Sequence, residues 1–458
     1  MKVLPSLLLA LLGVSQVPGG DTASHRNPQT GTNAVPPQMT PGDKIAQPTS
    51  DGIKFTLKEA EAYALKNHPQ ILAAQLTAEA VEQQIREARA GFFPQIYGEI
   101  NAVYAPEGTR LAALNGINNP TVFSRQSDGV MVNQLITDFG RTFDLTQSAR
   151  YSADAANNRL SAVKALVVLE VDRAYFDLRR AQAVLEVSQD TVKARQFSSD
   201  QIAVLFKNQL KSQLDANFAK VDLEQGQLLL IQAQNDSKDA EAVLSTALGF
   251  PNAMHFSLEP ESLDFSDPGT ADKLIFQAFA QRPELAALKN DEAAALRQAQ
   301  GERAAEYPKV TALGYAGVSP VRDSANLHPT YYGAGVNVEV PLATGGKLDA
   351  RAQRAKLLDQ ADLAKIIDLQ NSLSRDVRQV LLSIDTARKK IDVTTEMVEN
   401  TDMALKLAQA RYQLGTSSIV ELTQAELNDT EAKLQATSAR YDYQIARCLL
   451  DFTIGTKR

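Results

Sequence analysis

The sequence predicts a mainly α fold with β-strands, built from two tandem copies of one helix–hairpin–helix unit. Three observations carry this: a fixed offset between matching segments, period-two alternation after a shared proline, and a long 3.5-residue apolar repeat.

"HPQILAAQ" begins at His68 and "RPELAALK" at Arg282, and 282 − 68 = 214. The prolines of "FFPQI" and "EYPKV", Pro94 and Pro308, are again 214 apart. "DFGR" ends at Arg141 and "TGGK" at Lys347, and 347 − 141 = 206. "ALG" and "TIG" close at Gly249 and Gly455, also 206 apart. The copies differ by one change of 214 − 206 = 8 residues between Pro94 and Arg141. Length changes gather in exposed loops, so a loop is expected there. The predicted organisation is a signal peptide over 1–20, a flexible linker over 21–55, repeat one over 56–249, an inter-repeat or equatorial segment over 250–269, repeat two over 270–455 and a tail over 456–458.

The signal peptide rests on Lys2 followed by the apolar stretch from Val3 to Val14, too short to span a bilayer. Its cleavage is expected between Ser15 and Ala23. The segment from Gly19 to Ser50 is rich in Pro, Gly, Thr and Ser and has little to bury. Each copy then opens with a helix, from about Leu57 to Ala90 and from about Ala271 to Ala305.

Two strands follow. In the first copy Ile96, Gly98, Ile100, Ala102 and Tyr104 share a face, against Gln95, Tyr97, Glu99 and Asn101. In the second, Val310, Ala312, Gly314, Ala316 and Val318 align in one strand, and Tyr332, Ala334, Val336, Val338 and Val340 in its partner. Such alternation suits a membrane-barrel strand, but taken alone it favours an ordinary half-buried hairpin in a soluble sheet.

The long segments carry a seam. Apolar positions fall at Val163, Val167, Val171, Ala174, Leu178, Ala181 and Leu185, with steps of three and four. Adding 206 to these and to Leu160 gives Ile366, Leu369, Leu373, Val377, Val380, Ile384, Ala387 and Ile391. This is a coiled-coil period. Each segment breaks near its middle, at Lys207–Asp215 and Gln413–Glu421, so two helices of about 50 residues, each about 75 Å long, are expected per segment.

Composition narrows the function. The net charge is −7 and the pI about 5.4, which leaves no electrostatic footprint for nucleic acid. After the leader no run of 18 or more apolar residues occurs, which excludes a helical inner-membrane transporter. Cys448 is the sole cysteine, and His25, His68, His255 and His328 are scattered without ligand spacing. No nucleophile elbow or P-loop appears. No catalytic residue, metal or cofactor is therefore expected.

If the strands enter a membrane, four per chain would leave unpaired edges, so the chain must oligomerise. With the duplicated copies, "FFPQIYGEI", "EYPKVTALGY", the "DFGR" and "TGGK" junctions and "ARYQLGTSSIVELTQAE" from Ala410 to Glu426, the sequence resembles the TolC-like outer-membrane efflux protein family. The resemblance spans about 56–455. It implies an outer-membrane homotrimer in the lipid bilayer with a 12-stranded β-barrel. Long antiparallel coiled-coil helices would form a periplasmic α-barrel. It implies a passive duct for efflux or type I secretion, coupled to a periplasmic adaptor and an inner-membrane RND or ABC pump.

The family's pore closes at the turn between the last two long helices. The resemblance places acidic constriction positions at Glu421 and, in copy one, Asp215, with Gln424 where some members carry a second acid. Gate contacts fall at Tyr412, at its counterpart Phe206 and at Ser417, the last replacing the arginine of other members. The turns, with Gln209, Leu210 and Lys211 on one side and Leu414, Gly415 and Thr416 on the other, are the candidate adaptor-docking surface. An acid early in a helix is also favoured by the helix dipole alone, by ~0.3–1 kcal/mol. The competing reading of the whole chain is a soluble periplasmic coiled-coil scaffold, extractable without detergent.

Overall fold

The computed structural model describes residues 53–106, 125–259, 262, 265–319 and 329–456. The signal peptide, the linker up to residue 52, His25, His328 and residues 457–458 lie outside them.

The same order of elements occurs twice. The first half runs β1 (Ile53–Phe55), α1 (Leu57–Asn67), α2 (Pro69–Ala90), β2 (Gln95–Val103), β3 (Arg125–Thr137), α3 (Arg141–Lys207) and α4 (Gln213–Ala247). The second runs β4 (Phe256–Leu258), α5 (Ala271–Gln281), α6 (Pro283–Ala304), β5 (Lys309–Val318), β6 (Thr330–Glu339), α7 (Lys347–Gln413) and α8 (Ile419–Ile454). No described helix is long and apolar enough to cross a membrane.

Two helical expectations are corrected. The lead-in helix of each copy is two helices, broken before Pro69 and Pro283. Proline lacks an N–H and pushes the preceding residue into extended backbone, and His68 and Arg282 have ψ of 126° and 119°. The long segments divide unequally, into 67 and 35 residues in the first half and 67 and 36 in the second. At 1.5 Å per residue, α3 and α7 are about 100 Å long and α4 and α8 a little over half that. The breaks fall inside the predicted turns, but α3 and α7 start directly beside the sheet. Near the sheet α3 packs on α2, where the Gly91 backbone lies against Thr142 and Asn157 bonds Glu82 at 3.2 Å; farther along it packs on α4.

The seam is buried as its period requires. Val167, Val171, Ala174 and Leu178 of α3 are buried, as are Leu373, Val377, Val380, Ile384, Ala387 and Ile391 of α7. Midway along α3, Tyr175, Leu178 and Val171 join Ala60 and Ala64 of α1 and Leu244 and Leu248 at the end of α4 in one core. A small parallel sheet of β1 and β4 closes that belt, and the Tyr175 hydroxyl donates to the Glu259 carbonyl at 2.7 Å. The corresponding core of the second half joins Leu274 and Ala278 of α5 to α7 and α8.

The remaining strands form an antiparallel sheet in the order β2–β3–β5–β6, with β3 and β5 joining the halves. A bulge between Leu135 and Thr137 shifts the register. Tyr331 lies across the β5 backbone: a Cβ on Gly317 would stand 2.4 Å from its hydroxyl and 2.4 Å from the Asp128 carbonyl oxygen. The alternation buries neither face of the outer strands, while β3 and β5 at the centre of the sheet are largely half-buried. Along β2 every residue is exposed, and Ile100, Tyr332 and Val336 are 80 %, 86 % and 68 % exposed. Val103 and Arg125 are 125 − 103 = 22 positions apart and Val318 and Thr330 are 330 − 318 = 12 apart, so the eight-residue length change lies between the paired strands, their bounds differing by one residue at each end.

Candidate functional site at the helix tips

The turns at the far end of the long helices from the sheet are built by local chemistry. In the first, Ser212 caps α4: its hydroxyl accepts from the Asp215 N–H at 3.1 Å, and the Asp215 carboxylate accepts from the Ser212 N–H at 3.0 Å. In the second, Ser418 caps α8 by accepting from the Glu421 N–H at 3.3 Å. Both turns pass through left-handed backbone, at Gly415 (φ 73°) and at the equivalent Gln209 (φ 60°). Glycine takes that conformation freely, whereas a side chain is strained by about 1–2 kcal/mol.

A small apolar cluster ties the tips together: Ile202 of α3, Ala219 of α4, Ala408 and Tyr412 of α7, and Ile419 and Leu422 of α8. Tyr412 is its one aromatic residue and is buried, while its counterpart Phe206 is 40 % exposed and stands outside it. The Lys211 ammonium lies 3.8 Å from the centre of the Tyr412 ring. Burial, and secondarily the negative charge of Asp215, push the Tyr412 phenol up to about 12. Its hydroxyl has no hydrogen-bond partner, nor does the buried Ser417 hydroxyl. The cation at the tyrosine thus comes from the opposite turn, through Lys211, and not from position 417.

Glu421 lies on another side of the tip. The Arg411 guanidinium donates to its carboxylate at 2.6 Å, and both side chains are nearly half exposed. Gln424 donates to the Asn428 side chain at 2.9 Å. Glu421, Gln424 and Asn428 line a groove of about 730 Å³ along α7 and α8 with Val393 and Met397. Asp215 faces Tyr412, so the two acids related by the 206-residue offset have different surroundings. Leu210 and Leu414 are 69 % and 79 % exposed, and Gln209 and Thr416 are exposed beside them. The sequence reading missed Arg411. Its partner is ten residues away across a turn, where helical spacing rules do not reach.

These features sit on a scaffold with established relatives. A family model of the outer membrane efflux protein matches residues 62–250 and 274–456, and the chain belongs to that family. Its place is the outer membrane, with the helical part in the periplasm. It is 24 % identical to outer membrane protein TolC of Vibrio cholerae over 409 residues, covering 87 % of this chain and 90 % of that one. It is 25 % identical over 376 residues to outer membrane protein OprJ of Pseudomonas aeruginosa, covering 79 % and 76 %. The fold superposes on the CmeC outer membrane channel of Campylobacter jejuni with a TM-score of 0.76 at 17 % identity, over 87 % of this chain and 85 % of that one.

Proposed function

We propose that the chain is one subunit of a homotrimeric outer-membrane channel, a passive exit duct for efflux or secretion that catalyses no reaction. One observation carries this reading: the four-stranded sheet has two free edges, β2 and β6, and apolar side chains exposed along both. In lipid each unpaired backbone group costs several kcal/mol. Three copies supply twelve strands, enough to close a barrel, and pairing β2 of one copy with β6 of the next removes every edge.

The gate of this duct is the tip. Tyr412 is the bolt, held within its own chain by the apolar cluster and by Lys211 of the opposite turn. Glu421, with Gln424 one turn on, lines the constriction, and Asp215 sets its negative charge near the bolt. Ser417 and Phe206 are the remaining gate contacts. The exposed turns carrying Gln209, Leu210, Lys211, Leu414, Gly415 and Thr416 dock a periplasmic adaptor, which couples the duct to an inner-membrane RND or ABC pump. Leu210 and Leu414 supply the apolar anchors such a contact needs.

Fractionation and electrophoresis test the assembly. The channel reading expects a trimer in the outer-membrane fraction that needs detergent for extraction and migrates as monomer only after heating. Extraction as a monomer in plain buffer would overturn it.

A further inference from the structure

Three ionisable side chains meet where α8 packs on the α3–α4 hairpin, about one to two helical turns inward from the tip cluster. Arg195 of α3 is 5 % exposed, Asp222 of α4 is 7 % and Glu426 of α8 is 8 %. The Arg195 guanidinium forms an ion pair with the Asp222 carboxylate at 3.0 Å and donates to the Asp222 main-chain oxygen at 2.9 Å. The Ser198 hydroxyl donates to Glu426 Oε1 at 3.1 Å. Gly226 makes room for the guanidinium, since a Cβ there would stand 3.1 Å from Arg195 Cδ. The carboxyl groups of Glu426 and Asp222 lie close enough for each to act on the other's charge. Two carboxylates have no hydrogen to share and repel, so a proton on one of them steadies the pair.

With the proton in place, the buried set holds one positive and one negative charge. Without it, two carboxylates face one guanidinium away from water, and the excess charge is costly. A cavity of about 240 Å³, lined by Arg195, Glu426 and Asp429, gives the proton a route. The other acids facing this seam each have a lysine: Asp190 of α3 with Lys193 at 2.9 Å, Asp429 of α8 with Lys433 at 2.7 Å, and Asp402 of α7 with Lys406 at 2.6 Å. Of the buried acid pair, Asp222 is ion-paired with Arg195, whereas Glu426 accepts from Ser198 and has no ion pair of its own among the described residues.

We propose that Glu426, Asp222 and Arg195 form a proton-dependent joint: protonated Glu426 clamps α8 to the α3–α4 hairpin, and loss of the proton loosens the hairpins from each other at the tip. Burial, and next the charge of Asp222, push Glu426 from 4.5 up to about 7. Because the folded value is the higher one, the clamp is at full strength below about pH 4.5 and is lost as pH rises through about 7. The joint is a property of the chain; that it sets channel opening rests on the gate proposed above.

The test uses the assembled full-length protein with Cys448→Ser and spin labels at Gln209 and Leu414, compared at about pH 5.5 and about pH 8. The distance between labels is expected to lengthen or broaden at the higher pH, with a midpoint near 7. Glu426→Gln, which keeps the uncharged shape, is expected to hold the low-pH distribution at both. Asp222→Asn is expected to move the midpoint down. A distribution indifferent to pH, or a response retained in Glu426→Gln, overturns the joint. Infrared difference spectra give a second reading that needs no labels: a protonated-carboxyl band present at low pH and lost near neutrality, and missing from Glu426→Gln. Its absence from the unsubstituted chain also overturns the proposal. If the labels respond and single-channel conductance does not, the joint stands and the tip gate falls.

Discussion

Arg411 changes what a substitution at Glu421 should do. An exposed ion pair contributes ~0–1 kcal/mol to folding, so removing either partner leaves the fold intact and alters only the local charge. In planar bilayers Glu421→Ala is expected to weaken block of the current by divalent cations, and Arg411→Ala to strengthen it by leaving the acid unpaired. An unchanged block in both would remove Glu421 from the constriction. Tyr412 separates shape from hydrogen bonding. Its hydroxyl is buried without a partner, so Tyr412→Phe should keep closed-state conductance and gain slightly in stability. Tyr412→Ala removes the ring from the cluster and from Lys211, at a cost of about 3–5 kcal/mol, and should raise basal conductance. Equal conductance in the two variants would show that the ring holds nothing shut.

The elements show how far local chemistry reaches. Thr56 and Glu59 form a capping box at the start of α1, with Thr56 N–H donating to the Glu59 carboxylate at 2.9 Å, and its pattern is readable by eye. The 3.5-residue seam was legible for the same reason, because one face of a helix must be apolar if it is to be covered. The helix lengths were not, since nothing local says that α2 covers one end of α3 and α4 the other. Glycines in the sheet divide in the same way. Gly317→Ala brings a methyl against Tyr331 and the Asp128 backbone, which cannot withdraw, and should lower the temperature at which the proposed trimer dissociates on electrophoresis. Gly98→Ala meets nothing within 4 Å in the single chain and should leave that temperature within a few degrees of the parent. Similar losses in both would mean that Gly98 is covered by a neighbouring copy.

At the scale of the molecule, the exposed sheet ties folding to assembly. A structure completed by its neighbours has a stability that depends on protomer concentration. Dilution in detergent is therefore expected to lower the unfolding temperature, with loss of strand signal before helix signal. A melting curve independent of concentration would contradict an assembly-dependent sheet. The helical cores lie within one chain and should outlast the strands.

What the sequence determined by itself is periodic or local: the paired segments, the seam, the alternating strands, the prolines and the tip turns. Each follows from a spacing rule or from the backbone demands of a few neighbouring residues. Only the tertiary structure decided which distant groups meet. Lys211 reaches Tyr412 across 201 residues (412 − 211), and Glu426 reaches Asp222 across 204 (426 − 222). The side-by-side course of the helices makes those contacts, and no period along a single helix encodes them. Unpaired edges follow from four strands alone, but that β2 and β6 form them was visible only once β3 had paired with β5.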